Sequence, residues 1–259
     1  MADPTFRGVG VALITLFAPD GSVDVPGTVA HAQRLVDAGV RAVLVAGTTG
    51  EAETLEESER EELIAATRDA LPDDVTVIAG ASGSWARAAA ARAVAARKAG
   101  ADAVLVSPAR AGVDQVALFS AVAEAVGDSS RVIGYHNPGP LGVPGIEVSA
   151  LSDLPIGAVK DSSADPARLL HELSTWDGNV YVGSGALIAL AGPVGATGAL
   201  LAFANAEPET CIAAFGGDAK AQRSLADLVV EVRGSGLRAI KRAAAARYGV
   251  SDVLRLALR

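Results

Sequence analysis

Short runs of Val, Ile, Leu and Ala recur along the chain, each followed by a helical or turn-forming stretch. They fall at 9–17, 42–47, 75–81, 103–107, 131–135, 156–160, 180–183 and 196–202. Several are almost unbroken apolar runs rather than apolar–polar alternations, as parallel strands covered on both faces require. Between them the apolar spacing turns helical, at 25–38, 56–71, 86–99, 113–126 and 166–175. Thr54-Leu55-Glu56-Glu57 reads as a capping-box start for the second helix, and Asp165-Pro166 as an N-cap with proline at the first helical position for the last. The connections after the fifth and seventh runs are poor in helix. Eight strands alternating with helices predict a closed (β/α)₈ TIM barrel; a doubly wound sheet would share the same alternation. Helices are also expected at 208–215, 219–232 and 237–248, with Gly234-Ser235-Gly236 separating the last two. The expected organisation is a barrel over 1–215 and a short C-terminal helical extension over 216–259, packed as one structural unit.

Composition narrows the setting. With 259 residues, half of them hydrophobic, the chain is long enough to bury a full core. The net charge of −8, with both signs interspersed, argues against nucleic acid and anionic membranes as partners. No apolar run reaches spanning length, and Met1-Ala2-Asp3-Pro4-Thr5 lacks the features of a secretory signal, so a cytoplasmic location is expected. Cys211 is the single cysteine and reads as a small core residue. His31, His136 and His171 are scattered without ligand spacing, so no metal is expected. Neither a dinucleotide fingerprint nor a GxSxG or CxxC motif occurs, and no cofactor is expected.

Only four of the 22 basic residues are lysines. Lys98, Lys220 and Lys241 lie in stretches that read as helix surfaces, as do Arg87, Arg92 and Arg97. Lys160 instead closes the apolar sixth run. A desolvated amine can lose its proton and attack a carbonyl; a guanidinium cannot. In a barrel, chemistry gathers where strands end. Those ends here carry Gly47-Thr48-Thr49-Gly50-Glu51, Gly80-Ala81-Ser82-Gly83, Ser107-Pro108, Tyr135-His136-Asn137-Pro138, Lys160-Asp161-Ser162-Ser163 and Gly183-Ser184-Gly185. Hydroxyls and glycines around a single amine suit a small oxygen-rich anion beside a nucleophile. Glu51 reads as starting or capping the next helix, and His136, alternating with Tyr135, as pointing out of the barrel.

The phrases GTTGE, YHNP, VKDSS, GSG and GATGALLAFAN, in that order from 47 to 205, resemble the dihydrodipicolinate synthase/N-acetylneuraminate lyase family. The resemblance implies a TIM barrel and class I (Schiff-base) lyase or aldolase chemistry on pyruvate or a related 2-oxo acid. It implies Lys160 as the imine-forming nucleophile and Tyr135 as the acid/base. Gly47, Thr48, Thr49 and Gly50 would hold the substrate carboxylate, with Thr48 also relaying protons to Tyr135. The backbone oxygen of Leu200 would face the site, with Gly185 near the substrate. A homo-oligomer, dimer or tetramer, is expected by the same resemblance.

Two departures matter. Synthases of the family carry an arginine shortly after the YNxP-type motif, and here Gly139-Pro140-Leu141-Gly142 follows, with Pro140 in that place. They also carry tyrosines after the proline that ends the fourth strand, where this chain has Ala109-Arg110-Ala111. Arg110 is the candidate for an anionic substrate tail. The primary expectation is therefore a Schiff-base lyase or aldolase on another 2-oxo acid. The alternatives are a 4-hydroxy-tetrahydrodipicolinate (dihydrodipicolinate) synthase, a sugar-acid dehydratase, and, last, a non-catalytic paralogue acting as a binding module.

Overall fold

A computed structural model describes residues 3–110 and 112–258; Met1, Ala2, Ala111 and Arg259 lie outside the described residues. Within them eight parallel strands close into a barrel in chain order: β1 (Gly8–Ala12), β2 (Ala42–Val45), β3 (Thr76–Gly80), β4 (Ala103–Val106), β5 (Val132–His136), β6 (Ala158–Asp161), β7 (Asn179–Val182) and β8 (Gly198–Leu201), with β8 pairing back to β1. The TIM barrel expected from the apolar rhythm is the fold observed. The helices are α1 (Val25–Asp37), α2 (Glu57–Ala70), α3 (Ala86–Lys98), α4 (Gln115–Val126), the short α5 (Pro138–Leu141), α6 (Pro166–Thr175), the short α7 (Ile188–Ala191) and α8 (Pro208–Phe215). Beyond them come α9 (Ala219–Ser224), α10 (Ala226–Ser235) and α11 (Leu237–Tyr248).

Alternation along each strand sorts the core into two parts. Val9, Val11, Val43, Val45, Val77, Val104, Val159 and Val180 point outward and pack under the helices. Small residues (Ala12, Ala42, Ala103, Ala158) mix with large ones (Leu44, Ile78, Leu105, Ile133, Leu200) to fill the interior. Such a filled interior is a packed plug rather than a pore. Its N-terminal end is closed by Phe6, which stacks on Tyr181 with ring centroids 4.4 Å apart. The Tyr181 hydroxyl accepts from Phe6 N (3.1 Å) and donates to Phe6 O (2.8 Å).

Three local expectations are corrected. The first strand stops at Ala12 rather than at 17, because Asn205 takes over its end: Asn205 Nδ2 donates to Ala12 O (2.7 Å) and Ile14 N donates to Asn205 Oδ1 (3.0 Å). The 219–232 helix breaks at Leu225, which turns inward and is buried, and the second piece runs through Gly234 to Ser235. The capping box sits two residues later than read, with Glu56 N donating to Glu59 Oε2 (2.9 Å). Thr54 instead donates its hydroxyl to Glu51 O (2.9 Å). Asp165 caps α6 as expected, accepting from Ala167 N at 2.8 Å.

The largest correction concerns Glu51 and Lys241. Glu51 does precede a helical turn, the 3-10 turn Ala52–Thr54, but its side chain does not cap it, and Lys241 does not lie on a surface: the two side chains are both 0% exposed and pair at 2.5 Å. Lys241 Nζ also donates to Val253 O (2.6 Å) and lies over the Phe17 ring, while Leu256 N donates to Glu51 Oε2 (3.0 Å). Arg255 adds two 2.6 Å bonds to Glu59 and one of 2.9 Å to Thr54 O. The C-terminal segment is thereby tied to the β2–α2 connection.

Candidate active site

Lys160 faces the barrel interior because its neighbours Val159 and Asp161 face out. In register it lies beside Tyr135 on β5 and Tyr181 on β7. It is 4% exposed, and its Nζ sits 4.5 Å from the centroid of the Tyr135 ring. The two tyrosines differ in what their hydroxyls do. That of Tyr181 is committed to Phe6 at the closed end. That of Tyr135 accepts a hydrogen bond from Asn137 Nδ2 (2.9 Å), leaving its own proton free to be given away. Gly183 is needed beside them: a Cβ there would strike Ser162 Oγ and come within 3.0 Å of Lys160 Cε.

The turn after β2 is a single 3-10 turn over Thr48–Gly50. Gly47 O accepts from Gly50 N (2.9 Å) and Ala52 N (3.2 Å), and Thr15 Oγ1 donates to Gly50 O (2.7 Å). The N–H groups of Thr48 and Thr49 donate to no group among the described residues, the usual condition of a first helical turn. Thr48 is exposed to a cavity of about 270 Å³, which Tyr135, Gly47, Ser82 and Ser107 also line. Ser82 Oγ accepts from Ser107 N (2.9 Å) and lies 3.0 Å from Ser107 Oγ. Gly80 lets the wall approach, since a Cβ there would run into Ala46 O.

The residues singled out from sequence are distributed unevenly. Tyr135, Thr48 and Gly47 line one cavity; Lys160 is not among its lining residues and meets it through Tyr135, over whose ring its Nζ lies. Thr49 is half-buried and Gly50 buried behind the turn, and Leu200 is fully buried in the interior filling. Gly185 lies in the loop after β7, its carbonyl accepting from Gln222 Nε2 (2.8 Å). Arg110 is exposed and is not among the residues lining the cavity. No hydrogen bond joins Thr48 to Tyr135 among the described residues; Asn137 holds the tyrosine hydroxyl instead.

Sequence reasoning missed Asn137 as that partner, although it sat within a marked strand end. It also missed Arg60, and it read Arg92 as part of a solvated face. Both arginines line the cavity. Arg92 donates to Glu57 Oε1 (2.8 Å) and Ser82 O (2.5 Å), and Arg60 Nη2 to Ala52 O. A long side chain can reach past its own helix to the strand ends, which helical periodicity does not reveal.

Behind the site, on the outer face of β5 and β6, lies a buried polar cluster. His136 points out of the barrel, its Nδ1 accepting from Ile146 N (2.9 Å). Burial and the nearby Arg168 push the His136 pKa down. Arg168 Nη2 lies 2.8 Å from Glu172 Oε1, and its Nε 3.7 Å from Asp161 Oδ2. Burial, reinforced by Asp161, raises the Glu172 carboxyl to about 7. Among the described residues, no group of three or more His, Cys, Asp or Glu side chains could hold a metal ion. Nor is any described helix long and apolar enough to cross a membrane.

Comparison with known proteins gives consistent findings. The model of the dihydrodipicolinate synthetase family matches residues 5–229. A 4-hydroxy-tetrahydrodipicolinate synthase of Corynebacterium aurimucosum is 40% identical over 62% of this chain, and the matched stretch spans 55% of that synthase. An uncharacterized DapA-like lyase of Halobacterium salinarum is 34% identical over 88% of this chain and 78% of its own length. The crystal structure of dihydrodipicolinate synthase from Agrobacterium tumefaciens superposes with a TM-score of 0.84 at 26% identity, covering 98% of this chain and 93% of that one.

Proposed function

This chain belongs to the dihydrodipicolinate synthetase family, whose members are class I Schiff-base lyases and synthases, and from that premise we propose that Lys160 condenses with pyruvate or a close 2-oxo acid. The amine attacks the keto carbon, and the resulting carbinolamine loses water to give a protonated imine. That imine withdraws electrons from the adjacent carbon, which loses a proton to form an enamine or is released from its neighbour. Condensation of the enamine with an aldehyde makes a carbon–carbon bond, and the reverse cleaves one. Tyr135 supplies and recovers the protons of carbinolamine breakdown and of carbon–carbon bond change. Gly47, Thr48, Thr49 and Gly50 hold the carboxylate through the free N–H groups and the Thr48 hydroxyl. The backbone oxygen of Leu200 and the loop at Gly185 are assigned to the substrate by the family likeness.

One observation carries this reading: a buried lysine with its Nζ over the ring of a tyrosine whose hydroxyl retains a free proton. Burial in the barrel holds the amine out of bulk water, beside the tyrosine. The reading calls for no metal or organic cofactor, because the protonated imine that the lysine forms is the electron sink. The proposal extends to a cytoplasmic homo-oligomer, a dimer or tetramer. It is supported by the buried free thiol of Cys211 and by α10, which buries none of its residues and leaves Val230 67% exposed. Sedimentation velocity tests the assembly.

Borohydride reduction in the presence of pyruvate, followed by peptide mass mapping, tests the chemistry. The expected result is a reduced adduct on Lys160 that is lost in Lys160→Ala. An adduct confined to another residue, or turnover by Lys160→Ala, overturns it. A robust condensation of pyruvate with aspartate semialdehyde would assign the synthase activity; water loss from a sugar acid with no carbon–carbon cleavage would assign the dehydratase branch.

A further inference from the structure

The cavity that Tyr135 and Thr48 line is also lined by two cations, Arg60 of α2 and Arg92 of α3. Arg60 is 7% exposed. Its Nη2 is held by Ala52 O, its Nε is buried with no hydrogen-bond partner, and its Nη1 makes no hydrogen bond among the described residues. The nearest carboxylate to it, on Glu57, stands 4.0 Å from Nε and is engaged by Arg92 at 2.7 Å. One half-exposed carboxylate therefore serves two guanidiniums, and Glu53 at the rim is exposed to solvent. Burial of an arginine without full pairing is costly, and the deficit is met when a ligand supplies the missing anion. Consistent with this, burial and the like charge of Arg92 both push the Arg60 pKa down.

We propose that Arg60 and Arg92 form an anion subsite for the far end of the substrate, so that the aldehyde partner carries a terminal carboxylate or phosphate. The proposal rests on the imine reading of Lys160 and adds the substrate class to it. Ser82 and Ser107 line the same cavity as Tyr135 and the two arginines, giving polar groups for the hydroxylated or carbonyl-bearing part of such a molecule. A guanidinium matches either anion through paired N–H donors, which explains two arginines at this position in preference to lysines. The cavity of about 270 Å³ has room for a small acid and not for a nucleotide or peptide. The exposed Arg110, outside the lining, is replaced in this role.

The test is a selectivity ratio. Pyruvate-dependent consumption is measured for two matched aldehyde pairs, succinic semialdehyde against butyraldehyde and glyceraldehyde 3-phosphate against glyceraldehyde. The expected result is that kcat/KM favours the charged member of at least one pair by about tenfold or more. Arg60→Met and Arg92→Met should each lower that ratio by about tenfold, towards one, through the loss of one charge-assisted contact. The pair that responds distinguishes carboxylate from phosphate. Wild-type ratios near one in both pairs, or variants in which charged and uncharged aldehydes lose activity equally, overturn the subsite. Should Arg60→Met fail to fold, the Arg92→Met ratio decides alone. Borohydride trapping of pyruvate by the wild-type protein is run alongside: absence of trapping defeats the imine reading, whereas trapping with ratios near one defeats only the subsite.

Discussion

Replacing Lys241 by methionine removes an ammonium while keeping an unbranched side chain of similar reach. Glu51 would then remain buried, 1% exposed, with Leu256 N as its one hydrogen-bond donor. Val253 O would lose the 2.6 Å bond from Nζ. Deleting one member of a buried ion pair costs about 3–5 kcal/mol, mostly as the penalty of the stranded partner. With an unfolding entropy of about 2.1 cal/mol/K per residue, the chain has roughly 0.5 kcal/mol/K in total, so Tm should fall by about 6–10 °C. The double variant Glu51→Gln/Lys241→Met strands no charge and should recover about half of that loss. Differential scanning calorimetry of the four proteins gives the coupling directly. Because Glu51 directly follows Thr48-Thr49-Gly50 and sits at φ 54°, Lys241→Met should also raise KM for pyruvate. A single-variant loss below about 2 °C, or a double variant losing the sum of the two singles, would refute the reasoning that this pair holds the turn.

Three further outcomes are expected. Tyr135→Phe should lower kcat by about 10²–10⁴-fold, and Asn137→Ala by a smaller factor with a shifted pH–rate profile, since it removes only the partner of the tyrosine hydroxyl; equal rates for Tyr135→Phe and wild type would exclude the tyrosine as acid/base. Glu172 titrates near 4.5 when unfolded and about 7 when folded, so the folded state holds the extra proton between those values and loses stability as pH rises through them, by about 3 kcal/mol in all. Glu172→Gln should therefore gain on wild type in urea denaturation at pH 8 relative to pH 5; an identical difference at both pH values would contradict the buried carboxyl's role. Gly183→Ala should retain the fold but push Lys160 aside, cutting the yield of borohydride-trapped pyruvate adduct, and unchanged yield would show that the lysine does not depend on that gap.

The barrel was legible because its cause is local and repeated. Each strand is buried on both faces, so each reads as an apolar run, and eight such runs alternating with amphipathic helices leave little choice of architecture. Helix ends set by short-range chemistry were also readable, as at Asp165-Pro166. The bounds failed where a distant residue intervened: Asn205, nearly 200 positions away, ends β1 by taking its carbonyl and the N–H of Ile14. The proximity of Lys160 and Tyr135 followed from their positions at the ends of adjacent strands.

What the chain alone determined, then, is the succession of elements, the closed barrel and the face on which amine, phenol and hydroxyls would gather, since these depend on periodicity and residue type. What only the tertiary structure decided is which charges are buried and whom they meet. Lys241 and Arg92 look like ordinary helix-surface cations in sequence, and Glu51 like a helix start. Only the docking of α11 and the C-terminal segment on the β2–α2 connection desolvates Glu51 and Lys241 together. Only the adjacency of α2 and α3 aims Arg60 and Arg92 at one cavity. Charge carries no periodic signature of its own partner; the fold supplies the partner, and with it the energetic meaning of the charge.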